Sequence, residues 1–224
     1  MEQKVFFDNE KGLKLCGILS NPTEDEGIPI VLLCHGLNSG KDSTTNLALE
    51  CIFSENDIAT FRFDFFAHGE SEGAIEDRSV GEFVDDILQA ITFLKTCGYE
   101  DFGICGSSFG GLASVIAASR NNDLLVMALK APGMGQTSRH LPNYREDFIA
   151  KSWITAGTRV SIPTLIVHGS ADKDVEVAFG KMLAESMVSS KMEIFEGADH
   201  RFTDPQDSKR CTALMAGFII DHLR

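Results

Sequence analysis

Gly106-Ser107-Ser108-Phe109-Gly110 is a G-x-S-x-G pentapeptide set between two unlike runs. Upstream, Asp101-Phe102-Gly103-Ile104-Cys105 has the length and composition of a strand. Downstream, Leu112-Ala113-Ser114-Val115-Ile116-Ala117-Ala118 fits a helix packed closely on a sheet. A chain that turns this sharply from strand to helix needs glycine, because the bend leaves little room for a Cβ. Such a turn holds the Ser108 Oγ in the open and aims the first helical N–H groups at whatever that serine faces.

The rest of the chain repeats the same alternation of short β-rich runs with longer helix-period runs, which predicts an α/β sheet. Strands are expected at Val5–Phe7, Lys14–Leu19, Ile30–Cys34, Ala59–Phe63, Phe102–Cys105, Leu125–Leu129, Thr164–Val167 and Met192–Phe195. The continuous apolar run Ile30-Val31-Leu32-Leu33-Cys34 suits a central strand buried on both faces. Helices are expected near 43–55, 80–96, 109–119, 176–187 and 209–222. In the second, Phe83, Ile87, Ala90, Ile91 and Leu94 recur at helical spacing and should face the sheet. The segment 131–163 is too long for an ordinary connection and is expected to be a short lid or cap within a single domain spanning 1–224.

Bulk properties exclude several classes. A net charge of −13 disfavours nucleic acid and anionic membranes as partners. No stretch approaches the length of a membrane span, and the N-terminal residues carry no secretory pattern. The six cysteines have no C-x-x-C spacing, and Cys34 and Cys105 lie inside expected core strands. No disulfide framework or zinc site is expected, and a reducing, cytoplasmic setting fits best. The phosphate-binding reading of the glycine-rich turn fails because the P-loop lysine is missing.

A serine hydroxyl is a poor nucleophile near neutral pH and needs a base, usually a histidine oriented by a carboxylate. Asp172 lies in the loop after the strand at 164–167, and His200 in the loop after the strand at 192–195. In a parallel sheet these loops emerge with Ser108 at one carboxyl edge, where ligands bind. Two backbone N–H groups should stabilise a developing oxyanion: that of Phe109, directly after the serine, and that of Leu37 in His35-Gly36-Leu37-Asn38. Gly36 would let that loop approach the reacting centre.

The chain resembles serine hydrolases of the α/β-hydrolase superfamily over nearly its whole length. The matching pieces are His35-Gly36, Asp64 through Gly69 to Ser71, the Gly106–Gly110 pentapeptide, His168-Gly-x-x-Asp172-x-x-Val175 and Gly197-Ala-Asp-His200. The order Ser108, Asp172, His200 is that superfamily's order. Phe63 to Gly73 is similar to the corresponding segment of cinnamoyl and feruloyl esterases, and also resembles monoacylglycerol-lipase-like and serine-aminopeptidase-like members. The resemblance implies a mostly parallel eight-stranded sheet flanked by helices, and an enzyme that cleaves carboxylic esters of small or aromatic acids without metal or organic cofactor. The insertion looks shorter than the cap of the cinnamoyl esterases, so the cap's substrate contacts are not carried over.

Other readings stand beside these. Asp174 is a rival orienting acid or a helix N-cap, while Asp199 and Asp64 are expected to structure loops. His35, His68 and His168 should brace the backbone; His140 lies in the insertion and His222 on the terminal helix. Met134, Tyr144 and Trp153 would line a pocket or form a small core of the insertion. The same machinery serves a thioesterase or a small-peptide or amide hydrolase, and a non-catalytic ligand-binding module could use the same scaffold. The expected partner is a small ester; a homodimer through the insertion or an edge strand is compatible with the pattern.

Overall fold

The computed structural model describes residues 2–23, 25–135 and 153–224. The eight strands are β1 (Glu2–Asp8), β2 (Lys14–Ser20), β3 (Ile30–Cys34), β4 (Ala59–Phe63), β5 (Phe102–Ser107), β6 (Leu124–Lys130), β7 (Thr164–Gly169) and β8 (Ser190–Phe195). They form one sheet in the order β1-β2-β4-β3-β5-β6-β7-β8. β1 pairs antiparallel with β2, and β2 with β4. Every later pair, from β4–β3 to β7–β8, is parallel.

Helices among the described residues include α1 (Thr44–Ser54), α2 (Val80–Thr96), α3 (Ser108–Ala118), α4 (Val177–Ser186) and α5 (Pro205–Leu223), with a 3-10 turn at Ile75–Asp77 and a helical turn at 153–157. Short polar side chains start three of them. The Ser43 and Ser79 hydroxyls accept from Asn46 N and Glu82 N, and Asp204 accepts from Gln206 N and Asp207 N. α5 starts four residues before the expected 209. Pro205 at its first turn fits the helix because its missing N–H would have no intrahelical partner there.

The period-two alternation of the strands divides the core. Leu32, Ile104, Met127, Leu129 and Ile166 face one cluster, with Phe83, Ile87 and Ile91 of α2, Leu112 of α3 and Leu183 of α4. Val31, Leu33, Val126, Ala128 and Val167 face the other, with Leu49 and Phe53 of α1 and Met215 and Ile219 of α5. All five α2 residues expected to face the sheet are buried. β4 carries two polar residues into this interior, and both are satisfied. Thr60 Oγ1 and Arg62 Nε donate to Glu50 Oε2 at 3.0 and 2.9 Å.

Residues 136–152 of the expected cap, including His140 and Tyr144, lie outside the described residues. Trp153 is buried and stacks on Phe179 of α4 at 6.1 Å, and Met134 packs partly buried on the first cluster. For these two the core reading holds. Cys34 and Cys105 are buried in their strands, and burial pushes the Cys34 thiol up to about 12. All six cysteines are free thiols. Among the described residues no helix is long and apolar enough to cross a membrane.

Candidate active site

Ser108 sits at the junction of β5 and α3 with φ of 52°, a left-handed conformation that a non-glycine residue adopts only where its surroundings over-determine it. The surroundings are glycines. A Cβ on Gly106 would stand 2.6 Å from Ser114 Oγ and 2.7 Å from the Gly111 Cα. On Gly110 it would stand 2.7 Å from the Cys34 carbonyl oxygen and closer still to that of His35. The bend therefore works only with glycine at both ends of the pentapeptide, as the sequence suggested.

The carboxyl ends of β5, β7 and β8 bring Ser108, Asp172 and His200 together. His200 Nδ1 is 2.7 Å from Asp172 Oδ2, and His200 Nε2 is 3.0 Å from Ser108 Oγ. An ionised carboxylate only accepts, so His200 carries its proton on Nδ1 and its Nε2 is free to accept from the serine hydroxyl. Asp172 is itself held on all sides. Its Oδ1 accepts from Asp174 N at 2.9 Å and Val175 N at 2.8 Å, and its Oδ2 also faces His168 Nε2 at 3.2 Å. Burial works against the anion. The hydrogen bonds from His168, His200 and Val175 N–H outweigh it and hold the carboxyl well below the usual carboxylate range.

Asp174 is not the residue in line with the imidazole: its Oδ2 is 3.7 Å from His200 Nε2, beyond hydrogen-bond distance. Nor does it cap a helix, because α4 begins at Val177 with Glu176 in the cap position. Asp199 accepts from Thr203 N at 2.9 Å and Thr203 Oγ1 at 2.6 Å, the loop role expected of it. His222 is exposed on α5.

His35 and His68 brace the loops. Burial pushes His35 down to about 3, so its ring is neutral; Nε2 accepts from Phe65 N at 3.1 Å and Nδ1 donates to the Gly36 carbonyl at 2.8 Å. The ring of His68 spans the Phe66 carbonyl at 2.8 Å and the Leu37 carbonyl at 2.5 Å, tying the loop after β4 to the loop after β3. Asp64 holds the same pair of loops. It accepts from Lys41 N and Nζ at 2.8 and 2.9 Å and from Glu70 N at 3.1 Å.

A cavity of about 330 Å3 opens on Ser108 and His200. Gly36 and Leu37 form part of its wall, and a Cβ on Gly36 would be 3.4 Å from that of Ser108. Phe109 is fully buried at the first turn of α3, whose leading N–H groups have no intrahelical acceptor. Ser43, Thr44 and Thr45 at the start of α1 line another wall, together with Lys130, Asp174 and Arg201. Neither Lys130 nor Arg201 was expected at the site from the sequence. The signal was there: a lysine closing an otherwise apolar strand, at the sheet edge where ligands bind.

The family described as serine aminopeptidase, S33, matches residues 26–154, a span that includes Ser108 and ends before Asp172 and His200. Alpha/beta hydrolase domain-containing protein 17C of Homo sapiens is 24% identical over 143 residues, covering 62% of this chain and 43% of that protein. The Caenorhabditis elegans domain-containing protein aho-3 is 27% identical over 150 residues, covering 62% of this chain and 43% of its own length. The chain thus spans less than half the length of these curated relatives. Among solved structures, Est1E from Butyrivibrio proteoclasticus with ferulic acid bound superposes with a TM-score of 0.84 at 19% identity, covering 98% of this chain and 99% of that one. The Pyrococcus furiosus esterase Pf2001 gives 0.82 at 18% identity, covering 100% and 93%. The sheet order and the likeness to these structures identify the α/β-hydrolase fold.

Proposed function

The chain belongs to the serine aminopeptidase, S33, family of α/β-hydrolases, and from that membership we propose that it hydrolyses carboxylic esters through an acyl-serine intermediate. The observation that carries this reading is the line Ser108 Oγ, His200 Nε2 at 3.0 Å, His200 Nδ1, Asp172 Oδ2 at 2.7 Å. Ser108 Oγ attacks the ester carbonyl carbon while His200 Nε2 takes the hydroxyl proton. Asp172 keeps the ring in the required tautomer and stabilises the imidazolium. The N–H groups of Leu37 and Phe109 receive the carbonyl oxygen as it becomes an oxyanion, and each such donor is worth about 3 kcal/mol in the transition state. His200 then returns the proton to the leaving alcohol. A water deprotonated by the same imidazole adds to the acyl carbon, and the acid leaves as Ser108 recovers its proton.

Ester cleavage is favoured over removal of an N-terminal residue from a peptide. Binding an α-ammonium group calls for carboxylates, and among the described residues the cavity offers Asp174 against Lys130 and Arg201. Est1E, bound to ferulic acid, and the Pf2001 esterase support the same preference by likeness of fold. The free state of all six cysteines supports a reducing, cytoplasmic setting.

The test is the intact mass of wild type and Ser108→Ala after exposure to a fluorophosphonate, with turnover of matched ester, thioester and anilide substrates. One adduct on wild type, absent from the variant and mapped to the Gly106–Gly110 peptide, with the highest kcat/KM on the ester, is the expected result. No adduct on folded wild type would favour an idle ligand-binding scaffold, and a preference for the thioester or anilide would move the reading to those bonds.

A further inference from the structure

We propose that Lys130 recognises a carboxylate carried by the ester substrate, on its acyl or its alcohol half. The inference rests on the hydrolase reading above and adds a charge requirement to it. Lys130 is the last residue of β6 and pairs in register with Ser107, the residue before the nucleophile. It continues the strand face of Val126 and Ala128, which looks toward α1 and α5. Its side chain therefore leaves the sheet beside Ser108, and it lines the same cavity as Ser108 and His200.

What sets Lys130 apart is the company its ammonium keeps. Three lysine or arginine residues of the described structure are buried: Lys41, Arg62 and Lys130. Lys41 Nζ meets Asp64 and Glu70, each at 2.9 Å, and Arg62 Nε meets Glu50 at 2.9 Å. Lys130, only 8% exposed, touches no carboxylate among the described residues: its contacts are Thr45 Oγ1 at 2.9 Å, the Arg201 carbonyl at 3.5 Å and the ring of Phe202 at 5.4 Å, and Asp199 acts on it only through its field.

Removing an ammonium from water without a counter-charge is costly, and burial lowers the pKa of Lys130 accordingly. A substrate carboxylate in the cavity would supply the missing charge, with the hydroxyl side chains of α1's first turn as further donors. Arg201 adds a second cation to the wall. Among the described lining residues the carboxylate, Asp174, lies beside His200 Nε2 at 3.7 Å.

Two substrate pairs test this at fixed ionic strength. One is 4-nitrophenyl butyrate against 4-nitrophenyl hydrogen glutarate, with the anion on the acyl side. The other is methyl 4-acetoxybenzoate against 4-acetoxybenzoate, with the anion on the alcohol side. The readout is the anionic-to-neutral ratio of kcat/KM for wild type, Lys130→Met and Lys130→Arg, so differences in intrinsic reactivity cancel.

In one pair Lys130→Met should lower the ratio by at least about tenfold, chiefly through KM, with Lys130→Arg retaining most of it. That pair identifies the half of the ester carrying the charge. Replacing a buried charge by an apolar side chain of similar length is compatible with folding. Equal ratios for all three proteins in both pairs would overturn the proposal and leave Lys130 as a brace for the Arg201 carbonyl and Phe202. No turnover of any ester, with Ser108 unlabelled by the fluorophosphonate, would overturn the hydrolase reading and this proposal with it.

Discussion

His168 Nε2 lies 3.2 Å from Oδ2 of Asp172, the same oxygen that His200 Nδ1 reaches at 2.7 Å. His168 Nε2 also meets the Val175 carbonyl at 3.0 Å, so its proton is shared between that carbonyl and the carboxylate. The second imidazole keeps Asp172 ionised and fixes the plane of its carboxylate. His168→Asn is expected to lower kcat about tenfold with little change in KM, because it acts through the orientation of His200. Fluorophosphonate labelling should slow in proportion. A rise in KM at constant kcat would place His168 in substrate binding instead.

Asp172 and Asp174 can be told apart by the same kind of measurement. Asp172→Asn preserves shape but presents an amide to His200 Nδ1, which favours the wrong tautomer and should lower kcat by about four orders of magnitude. Asp174→Asn should cost at most about tenfold, since its carboxylate is 3.7 Å from the imidazole and on the other ring nitrogen. Comparable losses in the two variants would sink the assignment of Asp172.

Gly110→Ala tests the packing that makes the turn possible. The added methyl would press on the carbonyl oxygens of Cys34 and His35, which belong to the backbone and cannot step aside. A loss of more than about 3 kcal/mol of stability, or no soluble protein, is expected. Denaturant unfolding with a wild-type midpoint would mean that α3 moves freely on β3.

Asp86 of α2 is fully buried, accepting from Phe66 N at 2.7 Å through Oδ2, with the Asn9 side chain as a further polar neighbour. Burial pushes its carboxyl up to about 7. The unfolded chain releases this proton near pH 4, so folded stability falls as pH rises from there toward 7 and then levels off. Asp86→Asn removes the titration. The variant's stability relative to wild type should therefore increase between pH 4 and pH 7 by a few kcal/mol at most, on the order set by the shift. A difference independent of pH would refute this account.

Much of the architecture was legible in the chain before any coordinates. All eight strands fall where apolar or alternating runs placed them, and the α2 stripe of Phe83, Ile87, Ala90, Ile91 and Leu94 is buried as its spacing required. The start of α5 was read four residues late; in the structure Asp204 is its cap and Pro205 occupies its first turn. Ser108, Asp172 and His200 were legible because each follows a strand whose carboxyl end reaches one edge. Asp172 and Asp174 both satisfied that rule; spacing from the strand and the family resemblance favoured Asp172, and it is the Asp172 carboxylate that the loop turns toward Nδ1.

The sequence by itself determined what depends on neighbours a few residues away: strand and helix periods, and the need for glycine around Ser108. Those preferences arise from backbone sterics and local hydrogen bonds, which act within a turn or two of chain. Only the tertiary structure decided which charges meet. Ser108 and His200 are 92 residues apart in the chain, and Lys130 and Thr45 are 85 apart. Whether a lysine at a strand end finds a carboxylate or only hydroxyls and a ring depends on which loops converge there. That is fixed by the packing of whole elements, so a buried ammonium beside Ser108 with no carboxylate in contact among the described residues became visible only once the sheet was assembled.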